Sequence, residues 1–193
     1  MLMENEFAIR RADLSDVNEL AQLYAQTFRE TFTEDFSIPY PEKDVKDYLA
    51  SSSSSEYYTK SLTNPREAMW IVSNTQTNES IGFIQVGPCD NEKVPHPDVC
   101  PGQDSIIQRF YFKRNYRALG FGRQLMGIAL AWLDEHYPGR PIWLTALSDN
   151  YRAQRFYSHY GFKKIDEFQF AVGEWRDREF IMKRENPIDE KIN

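Results

Sequence analysis

The sequence predicts an α/β chain, more strictly α+β, in which one mixed sheet carries helices on its faces in the order β-α-α-β-β-β-α-β-α-β-β. Three observations predict this class. Apolar residues recur at helical spacing over residues 17–28. Short apolar runs occupy residues 68–73, 81–86 and 142–147, as buried strands do. From residue 105 onward, strand-like and helix-like segments alternate.

The length of 193 residues suits one domain with a sizeable core. We expect a single domain over residues 1–184 and a flexible, polar C-terminal tail over residues 185–193. A net charge of -6 argues against nucleic acid as a partner and is compatible with a cationic substrate. The N-terminus lacks the features of a signal peptide, and no apolar run could span a bilayer. We therefore expect a cytoplasmic protein with no membrane partner.

The first third of the chain predicts two helical regions after one strand. The strand covers residues 7–10, and the amphipathic helix that follows can be capped by Asp13 or Ser15 and runs to Phe32. Prolines then break the pattern, and a second helix begins near residue 41.

The next segment changes from helical to strand periodicity. A serine run at residues 51–55 predicts a flexible turn or a frayed helix end, and more helix is expected before Asn64. A polar hairpin loop joins the strands at residues 68–73 and 81–86. The proline-rich segment over residues 87–102 is interpreted as a surface loop.

The second half predicts alternating strands and helices. In order, we expect a central strand over residues 105–112, a helix ending near residue 137, a buried strand over residues 142–147, a short helix over residues 150–160, and strands over residues 164–172 and 179–183. A linker across Gly173, which holds Trp175 and Arg176, would join the last two strands.

Cys89 and Cys100 are the two cysteines, too few for a disulfide framework. With His96 they lie in the proline-rich loop, where a metal would need a fourth ligand and paired spacing, and neither is evident. We expect no metal here, with a disulfide within the loop or a zinc site as the alternatives.

The segment from Phe110 to Arg123 joins an apolar strand to a helix through a turn with two glycines and a basic cluster. Such a turn suits phosphate, because glycine lets the main chain approach closely and the first N–H groups of a helix lack partners inside it. The P-loop pattern is absent, and Leu125 stands where a dinucleotide fingerprint needs its third glycine. The alternative is a tight strand-to-helix turn without a ligand.

A family resemblance is carried by this turn and by a second segment. Arg117-Ala118-Leu119-Gly120-Phe121-Gly122 resembles the Arg/Gln-x-x-Gly-x-Gly/Ala acyl-CoA signature of the GNAT superfamily of N-acetyltransferases. Residues 144–162, with Asn150 and the pair Phe156-Tyr157, are similar to the family's second signature. The resemblance covers nearly the whole chain and implies a GNAT-like acyl-CoA N-acyltransferase fold, with acetyl-CoA as the co-substrate.

The resemblance also implies a co-substrate site. Main-chain N–H groups of the turn would wrap the pyrophosphate, and the backbone of the preceding strand would pair with the pantetheine amides. Arg117 and Arg123 are expected to contact phosphate, and Asn150 to bond the co-substrate, to cap its helix, or both. The predicted residues are Phe110, Phe112, Arg117, Ala118, Leu119, Gly120, Phe121, Gly122, Arg123 and Asn150.

Tyr157 matches the tyrosine of the family's Phe-Tyr pair, which implies that its phenol protonates the CoA thiolate left by transfer. Packing against Phe156 and Phe162 is the alternative. The attacking amine must be neutral, so a base or a water wire is also required. The candidates are Asp104, Gln108, Glu30 and Glu34, although a solvated carboxylate explains each acid as well.

The acceptor is indicated by a weaker resemblance. Residues 27–32 and 173–182 look like the bacterial spermidine/spermine N-acetyltransferases, which implies a polyamine or related primary amine. Acidic and aromatic residues could line a cation site, or form an ordinary charged surface: Glu30, Glu34, Asp35, Tyr40 and Glu42. A protein N-terminus or lysine as acceptor, and a non-catalytic acyl-CoA sensor, stay open. A homodimer is common in such folds.

Overall fold

The computed structural model describes residues 6–186, so the predicted tail lies outside the described residues from position 187 onward. The strands are β1 (Phe7–Arg11), β2 (Ala68–Asn74), β3 (Ser80–Pro88), β4 (Ser105–Phe112), β5 (Ile142–Leu147), β6 (Lys163–Val172) and β7 (Trp175–Arg184). The α-helices are α1 (Val17–Phe28), α2 (Glu42–Ser52), α3 (Ser55–Thr63), α4 (Phe121–His136) and α5 (Tyr151–His159). None of these helices is long and apolar enough to cross a membrane.

All seven strands form one mixed sheet in the order β1-β2-β3-β4-β5-β7-β6, which confirms the predicted fold class. Neighbouring strands run antiparallel except for the parallel pair β4 and β5. A parallel pair needs a crossover, and α4 supplies it. The sheet is therefore continuous, with its one parallel pair near the middle.

Helices cover both faces of the sheet. Side chains of α4, such as Leu125 and Leu133, pack on one face with Val72 of β2. Helices α1, α2 and α3 cover the other face, where Leu20 packs with Ile71. Because alternate residues of β2 enter opposite cores, its apolar run is continuous, as expected of a strand buried on both sides.

The serine run separates two helices, so the chain has one more helix than predicted. The hydroxyl of Ser54 accepts a hydrogen bond from the Tyr57 backbone N–H at 3.1 Å and caps α3. Serine is a strong N-cap because its oxygen satisfies an amide that has no partner inside the helix. The run is therefore a helix boundary and neither a flexible turn nor a frayed end.

Helix α1 continues into a π-helix over Arg29–Asp35. At its end the Phe36 N–H donates to the Thr31 carbonyl at 3.1 Å, five residues back. The widened turns carry Glu30, Glu34 and Asp35 towards the segment that follows β4. Short π-helical segments are frequent at functional sites.

The proline-rich segment after β3 is packed and not simply a surface loop. Cys89 and Val94 are buried against Trp143 of β5 in a third apolar cluster. The buried Asp104 organises this cluster by accepting bonds from the Trp143 indole N–H and the Cys100 N–H, both at 3.0 Å. Both cysteines are free thiols. Within residues 6–186, no group of three or more His, Cys, Asp or Glu side chains is arranged to hold a metal ion.

The last strand begins four residues earlier than predicted, at Trp175. Val172 pairs directly with Trp175, so Gly173 and Glu174 form a two-residue turn in which Gly173 has a φ of 58°. A glycine with positive φ at the first position matches the twist of a hairpin, which allows pairing to start at once. Trp175 and Asp177 therefore belong to the sheet, and the predicted linker is wrong.

Candidate active site

The parallel strands β4 and β5 pair only at their first residues, Ser105 with Ile142 and Ile106 with Trp143. Beyond these pairs the strands separate, while β4 stays paired with β3 as far as Phe112. One edge of β4 therefore faces a gap in the sheet. An open strand edge can hydrogen-bond to an extended ligand with amides of its own.

Phe110 and Phe112 hold β4 in place on the α4 face. Their rings contact each other at 5.6 Å between centroids, and Phe110 lies 5.8 Å from Phe156 of α5. The Phe112 ring occupies the space where a Cβ of Gly82 on β3 would stand. The side chains are thus core, and their backbone borders the gap, which is the arrangement predicted from the sequence.

The turn between β4 and α4 has two residues in the left-handed region, Ala118 with a φ of 67° and Gly120 with a φ of 92°. Gly120 is the N-cap of α4 and gives the first-turn N–H groups no side-chain acceptor. Exposed residues 118–120 leave this end of the helix open to solvent. The helix N-terminus carries roughly half a positive charge, so the turn is suited to bind an anion.

Two arginines of the turn are bonded to the π-helix. The Arg117 Nε donates to the Phe112 carbonyl at 3.0 Å, and its guanidinium also bonds Asp35. Arg114 pairs with Glu34 at 2.9 Å and with Asp35 at 2.6 Å. Arg117 therefore fixes the turn against the π-helix, and contact with phosphate stays a prediction for Arg117 and for the exposed Arg123.

These ion pairs bear on the predicted cation site and on the candidate bases. Glu30, Glu34 and Asp35 face arginines, and Glu42 pairs with Arg29. Their charges are compensated, which favours the interpretation as a charged surface.

The two other candidate bases are also engaged by protein groups. Asp104 is fully buried and pairs with Arg140 at 2.5 Å, so it is neither solvated nor free. The Gln108 amide donates to the Tyr57 hydroxyl at 2.9 Å. Both side chains therefore have partners within the protein, and the assignment of a base stays a prediction.

Asn150 caps α5, because its side-chain oxygen accepts a hydrogen bond from the Ala153 N–H at 3.0 Å. This is one of the two roles predicted for it, and a bond to the co-substrate stays a prediction. The cap fixes the start of the helix that carries Tyr157.

Tyr157 is half-buried and packs on the α4 face of the sheet, with its ring 6.1 Å from that of Phe162. Burial raises the pKa of its phenol, and the negative charge of Glu179 raises that pKa further. The phenol therefore stays protonated at neutral pH and can act only as a proton donor there. Packing and proton donation are compatible for this residue.

Two buried acids lie on β7, which pairs with β5 beside the gap, and neither of them was assigned to the site from the sequence. Asp177 is 6% exposed and Glu179 is 8% exposed, and both side chains lie on the face covered by α1 and α2. Asp177 accepts hydrogen bonds from the Tyr40 hydroxyl and from the Trp175 indole at 2.9 Å. The available signal was the strand alternation, which places Asp177 and Glu179 on the face opposite to Phe180 but does not show that this face is buried.

A pocket of about 260 Å³ is lined by Asp177. Residues 36–39 form one wall, the end of β5 with residues 147–149 another, and residues 175–178 of β7 the third. Leu147 lies in this lining and pairs directly with Glu179 across β5 and β7. The pocket therefore lies at the end of β5, next to the strand that carries both acids.

Comparisons with known proteins agree with this geometry. The model of the acetyltransferase (GNAT) family matches residues 25–162, more than half of the chain. An uncharacterized N-acetyltransferase of Mycobacterium tuberculosis (strain ATCC 25618 / H37Rv) is 26% identical over 176 residues, which cover 89% of this chain and 99% of the relative.

Two solved structures show the same fold at low sequence identity. The PaiA N-acetyltransferase of Thermoplasma acidophilum in complex with coenzyme A has a TM-score of 0.68 at 19% identity, covering 93% of this chain and 98% of that one. The spermidine/spermine N-acetyltransferase SpeG of Vibrio cholerae has a TM-score of 0.60 at 16% identity, covering 94% and 93%. The predicted family is confirmed, and the chain belongs to the GNAT family of acetyltransferases.

Proposed function

We propose that this acetyl-CoA-dependent N-acetyltransferase transfers the acetyl group directly to a primary amine, and that a small polyamine such as spermidine is the acceptor to test first. The observation that carries the proposal is the gap between β4 and β5, with the glycine turn at one end and Tyr157 beside it.

The gap and the turn fit an acyl-CoA. The free edge of β4 offers main-chain groups to the pantetheine amides, and the open N-terminus of α4 offers N–H groups to the pyrophosphate. Ala118 in the left-handed region supports this assignment, since strained backbone clusters at ligand clamps. The residues that would hold the co-substrate are those predicted from the sequence. Among them, Arg117 already bonds the Phe112 carbonyl and Asp35 through its side chain.

Tyr157 would serve as the acid. The amine attacks the thioester carbonyl, the C–N bond forms as the C–S bond breaks, and the departing thiolate takes a proton from the phenol. A phenol with a raised pKa is a weaker acid, but it remains in the donating form throughout the physiological range. No protein nucleophile is required.

The residues around Asp177 and Glu179 favour a cationic amine as the acceptor. Asp177 and Glu179 place two carboxylates next to the rings of Tyr40 and Trp175, and carboxylates and aromatic faces both attract ammonium groups. At the rim, Arg178 is paired with Glu167 at 2.8 Å, so its charge is compensated.

The test is a panel of polyamines, aminoglycosides, and peptides with a free N-terminus or a lysine, assayed for release of CoA thiol and for the acetylated product. We expect acceptor-dependent release with polyamines. Release with peptides alone would favour a protein acceptor. Binding of acetyl-CoA without release for any amine would contradict transfer and support the sensor.

A further inference from the structure

Glu179 is a buried carboxylate with an oxygen that no donor satisfies. Its Oε2 atom has no hydrogen-bond partner among residues 6–186. A hydrogen bond from Thr145 reaches the carboxylate. A buried charge with so few partners is costly to maintain, so its presence calls for a functional explanation.

The position of Glu179 relates it to the gap. It pairs with Leu147, and Thr145 lies on the part of β5 that has separated from β4. Its charge raises the pKa of Tyr111, which stands on β4 across the gap, and of Tyr157 on α5. Glu179 therefore lies beside the wall of the gap that β5 forms, and its charge acts on side chains of β4 and α5 as well.

The titratable groups around Glu179 come from every element that packs against it. They are Tyr40 before α2, Tyr48 on α2, Tyr111 on β4, Tyr157 on α5 and Asp177 on β7, while β6 presents Phe168 opposite to it. All five are neutral or negative. The cation nearest to these tyrosines is Arg109 on β4, and its guanidinium donates to the Tyr58 hydroxyl and the Ser52 carbonyl, not to Glu179. An incoming ammonium group is the natural counter-ion.

Resting on the acetyl transfer proposed above, we propose that Glu179 is the proton acceptor for the attacking amine. Its free Oε2 takes a proton from the ammonium form, and the neutral nitrogen then attacks the thioester carbonyl. The nitrogen loses its second proton to solvent as the amide forms, while Tyr157 protonates the thiolate and regains its proton from solvent. Glu179 then returns the first proton to solvent. The sum is one amide, one CoA thiol and one proton released.

The environment suits this role. Burial and the charge of Asp177 raise the pKa of Glu179 to about 7, against the lowering effect of the Thr145 hydrogen bond. A general base works best when its pKa lies near the working pH. Glu179 and Tyr157 would then act on opposite sides of the reacting carbonyl.

The experiment is the pH profile of kcat/KM for Glu179→Gln, with an amine that the wild type accepts. Glu135→Gln, which removes an exposed carboxylate from α4, is the matched control. We expect Glu179→Gln to lose about 10²–10⁴-fold near pH 7 and to recover as rising pH deprotonates the amine itself. For the wild type and for the control, kcat/KM should decline only below about pH 7.

Thr145→Val supplies an independent check, because losing this hydrogen bond should move the acidic limb of the profile to higher pH. Affinity for acetyl-CoA should be unchanged in Glu179→Gln, which shows that the variant is folded. An unchanged profile, or an equal loss at every pH, would overturn the role of Glu179 while transfer itself stands. Absence of transfer in the wild type would instead refute the proposed function, and with it the role of Glu179.

Discussion

Tyr157 and Glu179 approach the gap between β4 and β5 from opposite faces of the sheet. Tyr157 packs with the α4 core, whereas Glu179 alternates with Phe180, which belongs to that core, and so points to the other face. The charge of Glu179 nevertheless raises the pKa of the Tyr157 phenol. An acid and a base with raised pKa values, one on each side of the gap, suit a reaction in which one group donates a proton and the other accepts one.

The unfolding free energy should depend on pH through Glu179. Its folded pKa of about 7 exceeds the ordinary value of 4.5, so the folded state binds more protons between these values and stability falls as pH rises through them. Glu179→Gln removes this pH-dependent loss of stability. Its unfolding free energy should exceed that of the wild type at pH 8 by about 3 kcal/mol. The difference should vanish near pH 4.

Urea denaturation at pH 4, 6 and 8 provides that measurement. If Glu179→Gln gains stability but loses activity, Glu179 is a functional residue whose charge destabilises the folded protein. If Glu179→Gln were less stable than the wild type at pH 8, the carboxylate would be structural and this prediction would be wrong.

Gly120→Glu should abolish binding of acetyl-CoA. A side chain at a φ of 92° is strained by about 1–2 kcal/mol, and the added carboxylate would face the pyrophosphate. Gly127→Glu is the matched control, since it adds the same charge to an open position in α4 and should stabilise the helix by about 0.5 kcal/mol. Calorimetric titration compares the two, and equal affinity for acetyl-CoA would place the phosphate site elsewhere.

Gly82→Ala should weaken both the fold and co-substrate binding. The new methyl group would overlap the ring of Phe112, so β4 must shift at the edge of the gap, at a cost of about 1–3 kcal/mol. Phe112→Leu should relieve the overlap, and the double variant should be more stable than the sum of the two single changes predicts. Thermal unfolding of all three variants measures this coupling, and strict additivity would argue against the contact.

Arg109→Lys should destabilise the chain by about 2–4 kcal/mol. The buried guanidinium donates to the Tyr58 hydroxyl and to the Ser52 carbonyl, each at 2.6 Å, and lies 3.9 Å from the ring centroid of Tyr24. An ammonium group cannot reproduce this planar set of contacts. Arg155→Lys, at an exposed position of α5, is the control in the same denaturation experiment, and equal stability of the two would contradict this role for Arg109.

The sequence predicted the elements and the co-substrate half of the site because these depend on local patterns. Apolar periodicity located β4, β5 and their helices, and Gly120 marked the turn. The acceptor half depends on strand register, which decides that Asp177 and Glu179 are buried. The partners of Arg117 depend on the π-helix, and no short-range signal in the sequence distinguishes that helix from an ordinary continuation of α1.

The most direct test of the central claim compares the wild type with Tyr157→Phe. Removal of the hydroxyl leaves the ring packed against Phe162, so the affinity for acetyl-CoA should stay within about twofold while kcat for acceptor-dependent thiol release falls by about 10²–10⁴-fold. Initial rates with the best amine of the panel, together with calorimetric titration of acetyl-CoA, give both quantities. An unchanged kcat in Tyr157→Phe would contradict the assignment of Tyr157 as the acid of the transfer.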